Sequence, residues 1–552
     1  MVDNSTVNSL LSLYAKLAEL HGENPFKFRA FSSAAFNLKK IHTDYKIMGD
    51  DELLSIPGVG KSVVLGIRQI LETGSFFELQ ELLMSTPEGV VQILKIKGLG
   101  PKKVQLIWRE LGIESPGELL DACRQNRLVA IKGFGIKTQS EIIRSIEFSM
   151  AANGKWHFAR IEPIAQDFLT SLKQAIPNSR VEFTGDYRRT SETIAKVEII
   201  VDGSYSEVLK FLNENQYNIE LDSEEEIQTT LMGQYPVSII IEEYDFDRKW
   251  FETTGSWEHL KEISYDAQEP FDNEKDYYEE LGLPYIAPEL REGLNELKDD
   301  FPRENRIEYW QLKGVLHNHT TYSDGLNTLK EMADYACSEK FEYLGICDHS
   351  KSAGYANGLS VERLLNQLQE IDELNKTYTG FKIFKGVESD ILSDGSLDYP
   401  NEILKELDFV VASIHSGLKM DENKAHMRLI KAIENPYTTI LGHMTGRLIL
   451  MREGYPVNHK FIIDACSENG VAIELNAHPY RLDIDWRWIY YAQNKGVMIS
   501  INPDAHEKSG YHDMYFGVLA ARKGGLLTKN TLNAMGLEEF QAYLKKRQPL
   551  IK

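Results

Sequence analysis

The pattern of apolar and polar positions changes character twice along this chain. Through residue 155 the apolar positions recur at helical spacing. From 156 to 313 short apolar runs and helical stretches alternate, which predicts mixed strands and helices. From 314 onward apolar runs end in polar punctuation seven times: LKGVLHNHT, FEYLGICDHS, FKIFKGVES, LDFVVASIHS, TTILGHMTG, GVAIELNAHP and GVMISINPDAH. Helical patterns such as TLKEMADYACSEK and VERLLNQLQEIDELNK separate most of these runs. Strand–helix alternation repeated this often predicts parallel strands, closed into a TIM-like (β/α)7 barrel.

Composition adds the bounds. At 552 residues the chain has room for three or more domains. Hydrophobic content of 42% and charged content of 26% describe an ordinary soluble globular protein. No apolar run approaches membrane-spanning length, and MVDNSTVNSL lacks the basic-then-apolar order of a signal peptide, so a cytoplasmic protein without membrane contact is expected. Four scattered cysteines form no CxxC and fit a reducing compartment. The net charge of −22 argues at first against a nucleic-acid partner. Counted by segment, that argument weakens. Lys+Arg against Asp+Glu is 19 to 17 in residues 1–155, 16 to 35 in 156–313 and 26 to 31 in 314–552. The acidity belongs to the middle, and ten of the fourteen histidines belong to the last segment.

The first segment contains a repeat. LLSIPGVGKSVVLGIRQIL, ILKIKGLGPKKVQLIWREL and LVAIKGFGIKTQSEIIRSI each place Gly-x-Gly between an apolar helix end and a new helix, with a lysine one or two places on. The glycines are Gly58 and Gly60, Gly98 and Gly100, Gly133 and Gly135; the lysines are Lys61, Lys102 and Lys137. A tight turn followed by free helix N–H groups is an anion site, and the lysines add charge. The repeat resembles the helix-hairpin-helix, which grips DNA phosphates without reading sequence; three copies in register make the match specific. NPFKFRAFSSAAFNLKKI adds a basic, aromatic helix that suits DNA contact and a core helix with solvated lysines equally.

In the middle segment FTGDYRRTSETIAKVEIIV resembles the palm strand of family X DNA polymerases, and KDYYEELGLPYIAPELREGLNEL resembles the end of their thumb. The resemblance implies three palm aspartates holding two Mg²⁺ ions. Those positions carry Lys196, Glu198 and Ser238, and the serine expected to cradle a triphosphate is Asp186. A lysine ammonium repels a metal ion, and one glutamate cannot hold a pair. Arg188 and Arg189 are kept. A palm without its Mg²⁺ pair, having lost nucleotidyl transfer, is therefore expected.

The last segment puts one or more candidate ligands at the C-terminal end of six of the seven strands: His317 and His319, His349, Glu388, His415, His443, then Asp504 and His506, with Asp324 on the first loop. A single histidine at a strand end is more often structural than a ligand, but nine groups at corresponding positions are not independent. His-x-His and Asp-x-His keep strand phase, so alternate residues face the barrel mouth, where a barrel collects its chemistry. His478 could line the pocket in a supporting role. The motifs resemble the polymerase-and-histidinol-phosphatase (PHP) superfamily. That resemblance implies three metals: one held by His317, His319, Glu388 and Asp504, a second bridged by Glu388 to His415 and His443, a third held by Asp324, His349 and His506. Imidazole and carboxylate without thiolate suit Zn²⁺, Mn²⁺ or Fe²⁺. Such ions attract a phosphate and generate hydroxide near neutrality, so no side-chain nucleophile is needed. Lys351, Arg447 and Arg481 stand beside the ligands as candidate substrate clamps or as surface and ion-pair residues.

The expected organisation is a helical DNA-binding domain over 1–90, a fingers-like helical domain over 91–155, a degenerate palm over 156–245, a thumb-like region over 246–300, a linker over 301–313 and a PHP barrel over 314–552. The expected activity is a metal-dependent 3′→5′ exonuclease or 3′-end phosphoesterase in DNA repair, with gapped or 3′-recessed DNA as partner. The alternatives are a family X DNA polymerase, a small-molecule phosphatase of the histidinol-phosphatase type and a non-catalytic DNA-binding scaffold. Deoxyribose-phosphate lyase action is a further possibility that no lysine of the sequence identifies.

Overall fold

The computed structural model describes residues 3–41, 43–124, 128, 134–152, 154–203, 205–266, 271, 273–450 and 452–547. The chain divides into two compact units, Met1–Asn153 and Gly154–Lys552.

The first unit is helical. Asp3 and Asn24 cap Asn4–Leu20 and Pro25–Leu38, each side chain accepting a first-turn backbone N–H, from Thr6 at 2.7 Å and Phe26 at 3.0 Å. One apolar cluster runs from Val7 to Ile146. The segments 1–90 and 91–155 therefore share a core. Gln105 donates to the Leu20 carbonyl at 3.0 Å, and the His21 ring meets Trp108 edge-on, so the first helix serves both segments. Two of the expected turns have the same geometry. Gly58 and Gly98 have φ of 85° and 89°, the left-handed region that glycine enters without strain. Gly60 and Gly100 then cap helices Lys61–Thr73 and Pro101–Leu111. Gly133 lies outside the described residues, and Gly135 immediately precedes helix Ile136–Ala152.

The second unit opens with a two-stranded antiparallel ribbon, β1 (Trp156–His157) with β3 (Thr193–Ile194). Beside it lies a five-stranded sheet in the order β2 (Arg180–Thr184), β4 (Val197–Asp202), β7 (Tyr235–Ile241), β6 (Glu226–Leu231), β5 (Ile219–Asp222). Helices Phe158–Ala175 and Tyr205–Glu214 bury their apolar stripes on this sheet, with Ile161, Leu169, Val208 and Leu212 in the shared core.

The remainder is a ring of parallel strands: β8 (Gly314–Val315), β9 (Tyr343–Ile346), β10 (Lys382–Lys385) continued by β11 (Glu388–Asp390), β12 (Val411–Ser413), β13 (Ile440–Leu441), β14 (Ala472–Asn476) and β15 (Ile499–Asn502). Neighbours pair in chain order. Bridges from His349 to Glu388 and from Asn318 to Ala505 join the two pieces at both ends, which makes the pairing circuit continuous. These strands are buried on both faces, which explains their near-continuous apolar runs. Leu316, Phe384, Phe409, Ile440 and Phe540 fill the ring interior, with Phe540 supplied by the last helix, Leu537–Arg547. Gly345 leaves room for this packing, since a Cβ there would meet the Phe409 ring at 2.5 Å. The stretch 301–313 is no free linker. Ile307 and Leu312 enter the ring's outer core, and the Ile307 amide donates to the Leu526 carbonyl at 2.9 Å. An apolar Ile and Leu at these positions are removed from water by that docking.

Candidate metal centre

The strand ends deliver all nine sequence-read groups to one mouth of the ring. His317 and Asp504 end neighbouring strands, and both have left-handed backbones, φ 60° and 53°. Such conformations cost roughly 1–3 kcal/mol each in non-glycine residues and gather at functional sites. Glu388 is the hub. Its oxygens lie 3.3 Å from His317 Nε2, 3.7 Å from His319 Nε2, 2.9 Å from His349 Nδ1 and 3.1 Å from both His415 Nε2 and His443 Nε2. Asp504 lies 3.0 Å from His319 Nε2 and 3.5 Å from His317 Nε2. Asp324 reaches His506 Nε2 at 3.4 Å and His349 Nε2 at 3.7 Å. Three groups bring their ligand atoms within 4.8 Å of one another: His319, Asp324, His349 and His506; His317, His319 and Asp504; His349, Glu388 and His415.

These residues fit divalent ions on a direct test. The His317 Nε2, His319 Nδ1 and Glu388 Oε2 atoms are buried, and among the described residues none makes a well-aligned hydrogen bond despite the close imidazole–carboxylate contacts. Buried polar atoms left so are costly, and a cation held between imidazoles and carboxylates satisfies them.

A second set of groups, which the sequence reading missed, orients the first. Glu474 accepts a hydrogen bond from His317 Nδ1 at 2.6 Å and from the His443 backbone N–H at 3.1 Å. Asp390 accepts from His415 Nδ1 at 2.6 Å. The Asp504 carbonyl holds His506 Nδ1 at 2.9 Å. Each contact fixes which ring nitrogen is left to face the mouth. The signal was present: Glu474 is a carboxylate inside the apolar strand AIELN, and a fully buried acid requires partners.

Electrostatics follows the same plan. Burial pushes the Glu388 carboxyl up, but His415, His317 and His349 outweigh it and hold it well below the usual carboxylate range. Asp504 behaves alike, with burial opposed by His317 and His319. Burial, helped by His506 and His349, drives His319 down to about 3. Against the same burial, Glu388 and Asp390 lift His415 to about 10.

The mouth opens into a cleft of about 250 Å³, lined by Asp324, Glu388, His415, Asp504, Arg452 and Arg481 among others. Arg481 holds the place expected of a clamp. Arg452, not singled out in the sequence, joins it. Lys351 is exposed and is not among the described residues lining the cleft. Arg447 turns away from it: its guanidinium pairs with Asp485 and Glu192 and donates to the Arg481 and Leu482 carbonyls. It is an ion-pair residue, because two carboxylates and two carbonyls consume its donors. His478 is half-buried next to Arg481, whose amide donates to its carbonyl at 2.7 Å.

In the five-stranded sheet, Glu198 and Ser238 stand side by side in the β4–β7 register. Lys196 Nζ lies 3.0 Å from Glu198, and the Ser238 hydroxyl donates to Glu226 at 2.6 Å. Asp186 is paired with Arg189. Arg188 is bidentate to Glu274 at 2.6 and 2.9 Å and lies 3.4 Å above the Trp250 ring centre. In the helical unit Lys61, Lys102 and Lys137 are all exposed, and a Cβ on Gly60, Gly98, Gly100 or Gly135 would meet nothing within 4 Å, so the turn surfaces are open.

A helix-hairpin-helix domain model matches residues 2–76, and a SAM-like helix-hairpin-helix tandem model matches 50–111 and 90–147. A PHP domain model matches 316–478. The chain is 34% identical to the DNA polymerase/3′-5′ exonuclease PolX of Bacillus subtilis (strain 168) over 562 aligned residues, covering 97% of this chain and 98% of that protein. The chain belongs to the PolX family. Shorter relatives match part of the chain: a probable phosphatase of Thermoanaerobacter sp. (strain X514) is 28% identical over 251 residues, 43% of this chain and 97% of that protein. A probable phosphatase of Caldicellulosiruptor saccharolyticus is 30% identical over 206 residues, 35% of this chain and 80% of that protein. PolX membership thus joins DNA-gripping hairpins, a palm and thumb, and a phosphatase-like ring in one chain. No helix among the described residues is long and apolar enough to cross a membrane.

Proposed function

We propose that this chain is a DNA-binding, metal-dependent phosphoesterase that shortens DNA from the 3′ end, and that gapped or 3′-recessed DNA is its substrate. The observation that carries the reading is the hub: one buried carboxylate, Glu388, in contact with five imidazoles at the floor of a cleft that also holds two arginines. Three divalent ions, Zn²⁺, Mn²⁺ or Fe²⁺, are the complement of the nine groups: His317, His319, Asp324, His349, Glu388, His415, His443, Asp504 and His506. Bound there, they supply Lewis acidity and lower the pKa of water. The chain's own groups do the rest. Glu474 and Asp390 hold imidazoles in place, and Arg452 and Arg481 bring positive charge to a phosphodiester in the cleft. The hairpin turns, with Lys61, Lys102 and Lys137, bind the DNA backbone through phosphates and so deliver ends of any sequence.

The palm, in this reading, no longer transfers nucleotides. Support comes from the occupancy of its polar groups: Lys196 sits on Glu198, Ser238 on Glu226, Asp186 on Arg189 and Arg188 on Glu274.

The test is end-labelled primer-template incubated with Mn²⁺, with and without dNTPs. Shortening in both reactions supports the proposal. Lengthening with dNTPs would overturn the palm assignment. Cleavage of histidinol phosphate in preference to the DNA would replace the nuclease by a small-molecule phosphatase.

A further inference from the structure

Two loops carry the cleft's arginines. The loop after β13 holds Arg452, whose guanidinium donates to the Gly446 carbonyl at 2.8 and 3.1 Å. The loop after β14 holds Arg481, which lies 3.7 Å from Asp504. The loops are joined to each other, the Ile449 amide donating to the Tyr480 carbonyl at 2.7 Å. Neither loop is fixed by the ring alone. The palm ribbon grips both.

His157 of β1 donates from Nε2 to the Ile449 carbonyl at 2.9 Å, and its ring lies on Tyr480 with centroids 4.1 Å apart. Glu192, immediately before β3, accepts from Arg447 at 3.3 Å and lies 3.8 Å from Arg487. Arg447 in turn donates from Nε to the Arg481 carbonyl at 2.8 Å and to the carbonyl of Leu482. The ribbon pairs His157 with Thr193, so it presents both palm groups side by side. Glu192 is itself fixed, its carbonyl accepting the Phe158 amide at 3.0 Å. The chain of contact from Glu192 to Arg481 therefore has one intermediary, the half-buried guanidinium of Arg447. Arg447 and Asp485 are charges that water does not reach freely, so removing Glu192 leaves part of that cluster uncompensated.

We propose that the palm ribbon positions Arg452 and Arg481 over the cleft, and that Glu192 and His157 thereby set the cleft's grip on a phosphate group. This rests on the phosphoesterase reading above. It gives the palm a role that nucleotidyl transfer does not supply: a brace for the substrate arginines. Arg452 and Arg481 touch the phosphate; Glu192 and His157 are positioning residues that act through them.

The test uses the full-length, metal-loaded protein and 3′-recessed DNA. Glu192→Gln and His157→Ala should each raise KM by about tenfold, the scale of one charge-assisted hydrogen bond, with kcat within about twofold. Metal content should be unchanged. In the Arg481→Ala background Glu192→Gln should add nothing further, because the group it positions is gone. A purely structural role would instead multiply the two losses, or lower kcat and metal content together, and either result would overturn the brace. So would an unchanged KM. A second readout separates this proposal from the nuclease reading: binding of inorganic phosphate, followed together with amide exchange at Ile449. If the wild-type protein does not shorten DNA, the nuclease reading fails, yet weaker phosphate binding and faster Ile449 exchange in both variants would still support the brace. Phosphate binding and exchange equal to wild type would sink it.

Discussion

Glu474, on β14, and His317, just past β8, lie 157 residues apart in sequence and meet at 2.6 Å, both side chains buried and the carboxylate accepting the Nδ1 hydrogen. The contact aims His317 Nε2 at Glu388 and Asp504. Outer carboxylates of this kind typically contribute 10–100-fold to metal affinity. Glu474→Ala should lower the affinity of the mouth for Zn²⁺ or Mn²⁺ by about that factor. Competition against a chelating indicator measures it, and wild-type affinity in the variant would refute the assignment.

Glu388 contacts five histidines, so its charge is shared by every part of the cluster. Glu388→Gln should reduce the bound ions counted by elemental analysis and slow 3′-end shortening by roughly a thousandfold or more, the rate equivalent of several kcal/mol of metal stabilisation. EDTA treatment of the wild type should give the same loss, reversed by adding Mn²⁺.

The hairpin lysines act differently. Lys61 and Lys102 stand exposed at the openings of two helices, where phosphate contacts are sequence-independent. Alanine at either position should weaken duplex binding equally for unrelated sequences and reduce the slope of log K against log salt by about 1 each. A variant that discriminated between sequences would contradict a backbone grip.

The thumb-like region carries an acid-sensitive lock. Glu274 is buried between Arg188 and Arg291, bidentate to both. Burial raises its carboxyl, but the two guanidiniums win and bring it down to about 2. A depressed folded pKa means stability that is complete above the ordinary carboxylate value near 4.5 and is lost as pH falls through the folded value. The wild type should therefore lose on the order of 3 kcal/mol between those two pH values from this group. Glu274→Gln should be less stable at neutral pH and show a flatter acid limb in chemical denaturation. Parallel acid limbs for the two proteins would exclude the lock.

Much of this was legible in the strand ends. Seven apolar runs separated by helices implied a ring of parallel strands, and His317-x-His319 with Asp504-x-His506 announced a shared phase. The structure brings all nine groups to one mouth, but His317 and Asp504 lie just past β8 and β15 with left-handed backbones, so it is the turn at each strand end and not strand alternation that aims them. Glu474 and Asp390 were harder to see. They lie within strands, and their role depends on which imidazole nitrogen they meet. For Arg447 the sequence left clamp and ion-pair roles open, since one of its partners, Glu192, lies 255 residues away in the palm. Arg452 became visible only when its loop folded back over the cleft.

The amino-acid order alone settled the residue types, their spacing and the period of each element, because those depend on chemistry within one turn or one strand. Tertiary structure decided the pairings: that Glu388 meets five imidazoles, that Lys196 lies against Glu198, that Arg447 serves the palm contact and Arg481 the cleft. Burial does this sorting, since a charge removed from water must take the nearest partner, and only the folded chain fixes which partner is near.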